Sequence, residues 1–284
     1  MKRDYRLILA ATPIGNLADA SERLREVLAS ADVIAAEDTR RAKSLCSGLG
    51  ITPKARFVSY YDQNEVGRVP ELLAAVEAGQ QVLVISDSGM PTVSDPGFRI
   101  TEAAASAGIE FTVLPGPSAV TTALALSGLP TDRFTFEGFL PRKSGERKSY
   151  LEDLAALPHT MVFFESPHRL QDSLKDMAEV FGPDRSAAVC RELTKTFEEA
   201  RRGALEALIT STPAEVLGEV TIVVAGFRRS IETDTTDVLA ALDALVAAGV
   251  DRKAAQSEVM QRYGVSKRDL FDLQVSAKRG KAEK

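Results

Sequence analysis

Little in this 284-residue chain could hold a metal. It has two cysteines, Cys46 and Cys190, and two histidines, His159 and His168. The cysteines lie far apart beside apolar runs, without metal-ligand spacing, so no structural zinc or other metal site is expected. Sparse cysteine fits a reducing, cytoplasmic setting. No apolar run approaches the ~18–20 residues of a membrane span. The opening Met1-Lys2-Arg3-Asp4 leads into a strand pattern rather than a signal peptide's apolar core. A soluble protein without membrane contact is therefore the expectation. No G-x-G-x-x-G and no Gly-Lys-Ser/Thr phosphate loop occurs, which removes support from NAD and ATP readings. The net charge of −5 argues against a generic polycation.

What is present is a long alternation of strand and helix patterns, enough for two domains and a small third. Strands are predicted at Arg6–Ala11, Val33–Ala36, Arg56–Tyr60, Val82–Ile85 and Phe111–Leu114. Helices are predicted from Asp19, read as an N-cap with Glu22 completing a capping box, and over Val69–Ala78 and Phe98–Ala107. Pro115-Gly116-Pro117 then punctuates the chain. Beyond it come a helix over Ser118–Ser127 capped by Ser118, strand Phe134–Phe139, helix Ser144–Ala156, strand Thr160–Phe164 and helix Arg169–Phe181. Strands Ala187–Cys190 and Val220–Ala225 follow, with an added strand within Thr196–Gly203 and a helix over Ala204–Thr210. Phe227–Ser230 is basic, Glu232–Thr236 reads as a linker, and short helices follow. There Leu239, Leu242, Leu245 and Val246 share a face. Residues 227–284 carry 11 basic and 9 acidic side chains, leaving 24 and 31 to the rest, so any polyanion contact is favoured near the C-terminal end. The division expected is 1–116, 117–228 and 229–284.

The chemistry concentrates where strands end, the place open α/β folds bind ligands. The richest such stretch is Ser86–Gly97, where Asp87 and Asp95 could accept hydrogen bonds from ribose hydroxyls or an ammonium group, or simply form turns. Ala11–Leu17 is small enough for backbone approach by a ligand, and could equally be an ordinary loop. Glu37-Asp38-Thr39-Arg40-Arg41 could grip a polar substrate or pair internally. Pro115–Val120 offers Ser118 and bare N–H groups at a helix start, a carboxylate-binding device or a plain cap. Glu165, charged and directly after an apolar strand, needs a partner or a function; His168 beside it reads best as a polar surface group.

Two basic clusters could meet phosphates or be solvated faces: Arg142, Lys143, Arg147 and Lys148, and then Arg191, Lys195, Arg201 and Arg202. Interleaved aromatics for base stacking are scarce, apart from Tyr150.

Jointly, Ala11–Leu17, Glu37–Arg40, the Ser-Asp-Pro-Gly of 94–97, Pro115–Ala119, Asp132–Pro141, Phe164–Arg169 and Arg191–Lys195 resemble the tetrapyrrole methylase family. Within it they are most similar to the methyltransferases of small-subunit ribosomal RNA. The resemblance spans about residues 6–226, and the tail is similar to that group's small helical C-terminal domain. It implies a two-domain tetrapyrrole-methylase-like α/β fold with mixed sheets flanked by helices, and S-adenosylmethionine (SAM) in the cleft between the domains. It also implies a homodimer that methylates the ribose 2′-oxygen of a cytidine in 16S rRNA of the small ribosomal subunit, near the decoding centre. Carried over residue by residue, the SAM site comprises Pro13, Ile14, Gly15, Ser86, Asp87, Met90, Ser94, Asp95, Ser118, Ala119, Glu165 and, through its backbone, Leu193. The chain departs from the group's usual pattern at Ser88, Met90 and Thr92, where Ala, Thr and Gly are usual. Glu165 is a candidate base, with Lys195 or Arg191 as a cation that lowers the hydroxyl's pKa or clamps a phosphate. Arg40, Arg142, Lys143, Arg147, Lys148, Arg169 and Arg191 are the candidate RNA contacts. A relative acting on a corrinoid or a protein, or a non-catalytic ribosome assembly factor, are the rival readings.

Overall fold

The computed structural model describes residues 5–213, 215–227 and 235–263, with 265, 267, 270, 271 and 273–275. Residues 1–4, and most of the stretches read above as basic and linker between 227 and 236, lie outside them. The chain through Phe227 forms one compact unit and the chain from Arg228 another.

The first half of the larger unit holds five strands: β1 (Leu7–Ala10), β2 (Val33–Ala36), β3 (Arg56–Ser59), β4 (Val82–Ile85) and β5 (Phe111–Leu114). They pair in the order β3-β2-β4-β1-β5, every pair parallel. Three of these strands, β1, β2 and β4, are wholly apolar because they are covered on both faces. Leu7, Leu9, Val33 and Val84 pack toward α3 (Glu65–Glu77) and α4 (Phe98–Ser106). Ile8, Ala10, Ile34 and Ile85 pack toward α1 (Glu22–Ser30) and α2 (Thr39–Gly48). Parallel pairing gathers every strand's C-terminal end on one edge, so the loops after β1, β2, β4 and β5 converge there.

Two local readings change. The cap of α1 is Ser21, whose hydroxyl accepts from Leu24 N–H at 3.1 Å; Asp19 instead ends a 3-10 turn over Leu17–Asp19. α2 was not anticipated, because its only buried side chains are Ala42 and Cys46, too weak a stripe beside so many charges.

After Pro115-Gly116-Pro117 come α5 (Ala119–Ser127), β6 (Phe134–Phe139), α6 (Ser144–Leu154), β7 (Thr160–Glu165), α7 (Leu170–Phe181), β8 (Ser186–Arg191), β9 (Glu199–Ala204), α8 (Leu205–Ser211) and β10 (Val220–Val224). This sheet is mixed, in the order β6-β7-β10-β8-β9, with only β6–β7 parallel. α6, α7 and α8 cover one face through Met161, Phe163, Leu174 and Ile222. α5 covers the other through Val120, Ala123 and Leu124 against Val162, Ala188 and Val223.

In the second unit α9 (Thr235–Ala247) and α10 (Arg252–Tyr263) bury Val238, Leu242, Ala255 and Val259. The apolar stripe is thus Val238, Leu242 and Leu245, whereas Val246 is 41% exposed and falls off it.

Candidate active site

The converging loops line a cleft of about 390 Å³, within the size range of cofactor sites. Eight sequence-predicted cofactor residues meet in its wall: Ile14, Met90, Ser94, Asp95, Ser118, Ala119, Glu165 and Leu193. The other four sit elsewhere. Ser86 is buried beneath the loop, its hydroxyl donating to Gly89 O at 3.2 Å. Pro13, Gly15 and Asp87 line a second, more open groove of about 340 Å³ with Leu17, Arg41, Ser44 and Leu45. Cleft and groove share Ile14 and Ser88 as a common wall.

Backbone constraints build this wall. Thr12 and Gly89 form an isolated antiparallel bridge that ties the first loop to the third. Gly15 lies under the loop after β8: a Cβ there would fall 2.8 Å from Thr194 Oγ1 and 3.0 Å from Leu193 O. Asn16 N–H donates to that same Thr194 Oγ1 at 3.1 Å. Among the described residues four non-glycine residues have positive φ, namely Thr92 (77°), Ser94 (61°), Glu192 (51°) and Thr194 (65°), and all lie in the loops flanking the cleft. Left-handed backbone at β-branched Thr92 and Thr194 costs of order 1–3 kcal/mol each, strain of the kind that clusters at ligand sites.

The far wall comes from the second sheet. β6 carries a bulge between Phe136 and Gly138, with Gly138 at φ 69°. Residues three apart in a regular strand point to opposite faces. The extra residue brings Phe136 and Phe139 to one face, both against Phe164, with ring centroids 4.8 and 5.6 Å away. Phe139 and Phe164 form an apolar side of the cleft.

Glu165 ends β7 with only 2% of its surface exposed, and both carboxylate oxygens are occupied. Oε1 accepts from Ser166 N–H at 2.6 Å and pairs with Arg169 at 2.5 Å; Oε2 accepts from the Ser173 hydroxyl at 2.5 Å. Arg169 also donates to Leu140 O at 3.1 Å. Two of its guanidinium nitrogens are thus engaged within the protein. His168 is exposed in a 3-10 turn.

Lys195 Nζ bonds Glu192 at 2.8 Å and Glu219 at 3.1 Å. Burial lowers its pKa, but these two carboxylates outweigh burial and hold it above the ordinary lysine value. It is a cation, not a proton acceptor. Asp95 is opposite in character: burial first, then the charge of Glu37, raise its pKa to about 7, with Asp87 and Asp62 adding and a Ser86 hydrogen bond opposing. Glu37 is likewise raised, by burial and by Asp87. A positively charged ligand would relieve this crowding.

Ser118 occupies the N-cap position of α5, makes no capping hydrogen bond and lines the cleft at the helix's N-terminus. Acceptors for a cation, donors for a carboxylate and apolar side chains for a base together fit a nucleoside bearing an amino acid.

The basic candidates divide. Arg147 is 3% exposed and locked to Asp176 at 2.6 Å, with Pro141 O and Arg142 O accepting its other N–H groups. Its position on the core side of α6 overturns its reading as an RNA contact. Lys148 is paired with Glu179 at 2.6 Å, and Arg191 with Leu217 O at 3.2 Å. Arg40 is 89% exposed yet holds Asp38 at 2.9 Å. Its guanidinium lowers the Asp38 pKa to about 2. Arg142 and Lys143 are exposed, Lys143 in an i,i+3 pair with Glu146.

Sequence reasoning missed Gly218, Glu219 and Thr221, which also line the cleft. Gly218 and Glu219 lead into β10 and Thr221 lies within it, whereas ligand sites were sought at strand C-terminal ends. β10 runs antiparallel to β7 and β8, placing Val220 opposite Glu165 and Arg191, so its first residues share their edge. The Leu217-Gly218-Glu219 turn, with Gly218 at φ 90°, was the available signal.

Among the described residues no helix is long and apolar enough to cross a membrane. Residues 6–209 match the family model described as Tetrapyrrole (Corrin/Porphyrin) Methylases. The chain is 49% identical over 275 residues to "Ribosomal RNA small subunit methyltransferase I" of Mycobacterium tuberculosis (strain ATCC 25618 / H37Rv), covering 96% of each protein. It is 41% identical to the protein of that name from Escherichia coli O157:H7, covering 93% of each. Among solved structures, the methyltransferase CobJ superposes with a TM-score of 0.59 at 21% identity, covering 80% of this chain and 97% of that one. Uroporphyrin-III C-methyltransferase from Thermus thermophilus, complexed with S-adenosylhomocysteine, does so with a TM-score of 0.54 at 18% identity, covering 78% and 97%.

Proposed function

The chain belongs to the tetrapyrrole methylase family, and on that premise we propose that it transfers a methyl group from SAM to the ribose 2′-oxygen of a cytidine in 16S rRNA. The substrate would be the small ribosomal subunit, in its decoding region, met in the cytoplasm by a homodimer. The observation that carries the cofactor half is the cleft, where eight residues from separate loops bring acceptors, donors and apolar walls together. The acceptor half rests on the printed name of relatives that match almost the whole chain.

SAM supplies an activated methyl group on a positively charged sulfur. The protein's task is then to align the acceptor oxygen, methyl carbon and sulfur, for which positioning can supply about 7–11 kcal/mol. We assign Asp95 as the counter-charge of the bound cation. Ser118 and the first N–H groups of α5 would hold the carboxylate. Ile14, Phe164 and Leu193 would enclose the base. Glu165, with both oxygens engaged, serves in this reading as a rigid wall that orders Ser166 and Arg169. Lys195 stays charged and can steady developing negative charge or a phosphate at the cleft mouth.

The test offers the protein labelled SAM with small ribosomal subunits that lack the modification, and a tetrapyrrole and bulk protein in parallel. Label in the ribosomal RNA alone supports the proposal; label in either of the others refutes it.

A further inference from the structure

Phe139 lines the cleft but has no part in holding the cofactor as assigned above, and it is 58% exposed. The chain around it is firmly held. β6 is an edge strand of its sheet, and its bulge at Gly138 turns Phe139 away from the core that takes its neighbour Leu140. Leu140 is buried, and its carbonyl accepts from Arg169 at 3.1 Å. The next two carbonyls, of Pro141 and Arg142, accept from the buried Arg147 at 3.3 and 3.2 Å. Two arginines thus brace the backbone of Leu140–Arg142 from within. Phe164 backs the Phe139 ring, with centroids 5.6 Å apart. The Arg142 side chain is exposed and has no hydrogen bond or ion pair among the described residues. A single exposed apolar side chain is ordinary on a protein surface. An aromatic braced in a ligand cleft, with an unpaired cation three residues on, has the makeup of a nucleotide-stacking platform.

We propose that the base of the acceptor nucleotide stacks on Phe139, and that Arg142 takes a phosphate of the same RNA strand. The inference rests on the RNA-methylation reading above and adds to it the residue that seats the acceptor. Phe139 shares one cavity with Ser94, Asp95 and Ser118, so a nucleoside stacked there and the methyl donor face the same space. The bulge also abuts the loop that carries Asp95, the counter-charge assigned to the sulfonium: a Cβ at Gly138 would lie 3.8 Å from Ser94 Oγ. Every base has a π face, so stacking positions the nucleotide without choosing it. Arg142 adds a charge contact that is independent of sequence.

The experiment has two readouts on wild type, Phe139→Ala, Phe139→Leu, Phe139→Trp and Arg142→Ala. SAM affinity is measured by calorimetry, which also shows that each variant is folded. Methyl transfer is measured on small subunits that lack the modification. Expected are SAM affinities within about twofold of wild type, and for Phe139→Ala a kcat/KM for subunits lower by roughly fivefold to a hundredfold, the range of one lost base–aromatic stack. Phe139→Trp should keep most of the activity. Phe139→Leu, apolar but without a π face, should keep little. Arg142→Ala should lower the salt slope of subunit binding by about one. Full transfer by Phe139→Ala would overturn the proposal. So would wild-type transfer by Phe139→Leu, which reduces the contact to apolar packing. An unchanged salt slope in Arg142→Ala would overturn the phosphate contact. A loss of SAM affinity in Phe139→Ala that accounts for its loss of transfer would return the residue to the cofactor site and overturn the proposal, leaving RNA methylation intact. If wild type binds SAM but methylates no subunit, the functional reading itself fails and this inference with it.

Discussion

Thr12 and Gly89 exchange both backbone hydrogen bonds, Thr12 N–H to Gly89 O at 2.8 Å and Gly89 N–H to Thr12 O at 3.1 Å. The two residues sit in loops that leave the neighbouring parallel strands β1 and β4. The bridge, antiparallel where the strands are parallel, ties the two loops together beyond the sheet edge, beside the Ile14 and Ser88 that cleft and groove share.

Gly15→Ala should disturb this arrangement. The new methyl would press on Thr194 Oγ1, Leu193 O and the Lys195 side chain. Overpacking of this kind costs about 1–3 kcal/mol. Thermal denaturation should show a lowered Tm, and SAM titration a weakened affinity, because Leu193 lines the cleft. An unchanged Tm would mean the two loops separate freely.

Glu65 is the hidden support of the Ser86–Gly97 loop. Its Oε1 accepts from Tyr60 O–H at 2.7 Å, Gly97 N–H at 2.9 Å and Arg99 N–H at 3.1 Å, capping α4 from the first residue of α3. Burial and this carboxylate raise the Tyr60 pKa. Glu65→Ala strands three donors and should cost about 2–4 kcal/mol in urea unfolding. Glu65→Gln, which keeps an acceptor, should lose less.

Arg147 and Asp176 form a buried pair whose members cannot be removed singly. Asp176→Ala should destabilise the fold by about 3–5 kcal/mol, while a joint Arg147→Met, Asp176→Leu exchange should be near neutral. Lys143→Ala should instead leave stability unchanged and lower the salt dependence of subunit binding. Equal effects of all these changes on RNA binding would contradict the assignment.

Asp95 gives a pH signature. Its pKa, near 3.8 for an ordinary aspartate, is raised to about 7. Between roughly pH 4 and pH 7 the folded chain therefore holds a proton that the unfolded chain has released. Stability contributed by this group falls as pH rises through that window. A cationic ligand favours the ionised form, so SAM should bind more tightly as pH climbs through about 7, releasing protons. Calorimetry in buffers of different ionisation enthalpy would detect the release, and Asp95→Asn should remove it. Proton uptake would contradict the assignment.

The parallel half of the fold was legible because most of its strands are short apolar runs ended by polar loops; Val33–Ala36, Val82–Ile85 and Phe111–Leu114 lie where their residues predict. The antiparallel insertion of β10 between β7 and β8 was not, because no local pattern encodes a long-range partner, and Gly218, Glu219 and Thr221 were lost with it. The cleft was readable to the extent that its residues follow strand ends. Asp87 shows the limit: it shares a loop with Met90 and Asp95, but the Asp38 N–H and Arg41 draw its side chain to the other side of the wall. Arg147 shows another, since a run of basic residues on a helix does not reveal which one turns inward.

The most direct measurement incubates the protein with methyl-labelled SAM and small ribosomal subunits from cells lacking the modification, then digests the RNA to nucleosides for mass spectrometry. Labelled 2′-O-methylcytidine is the predicted result. Label on a base, on another nucleoside or in protein, or no transfer despite measured SAM binding, would contradict it.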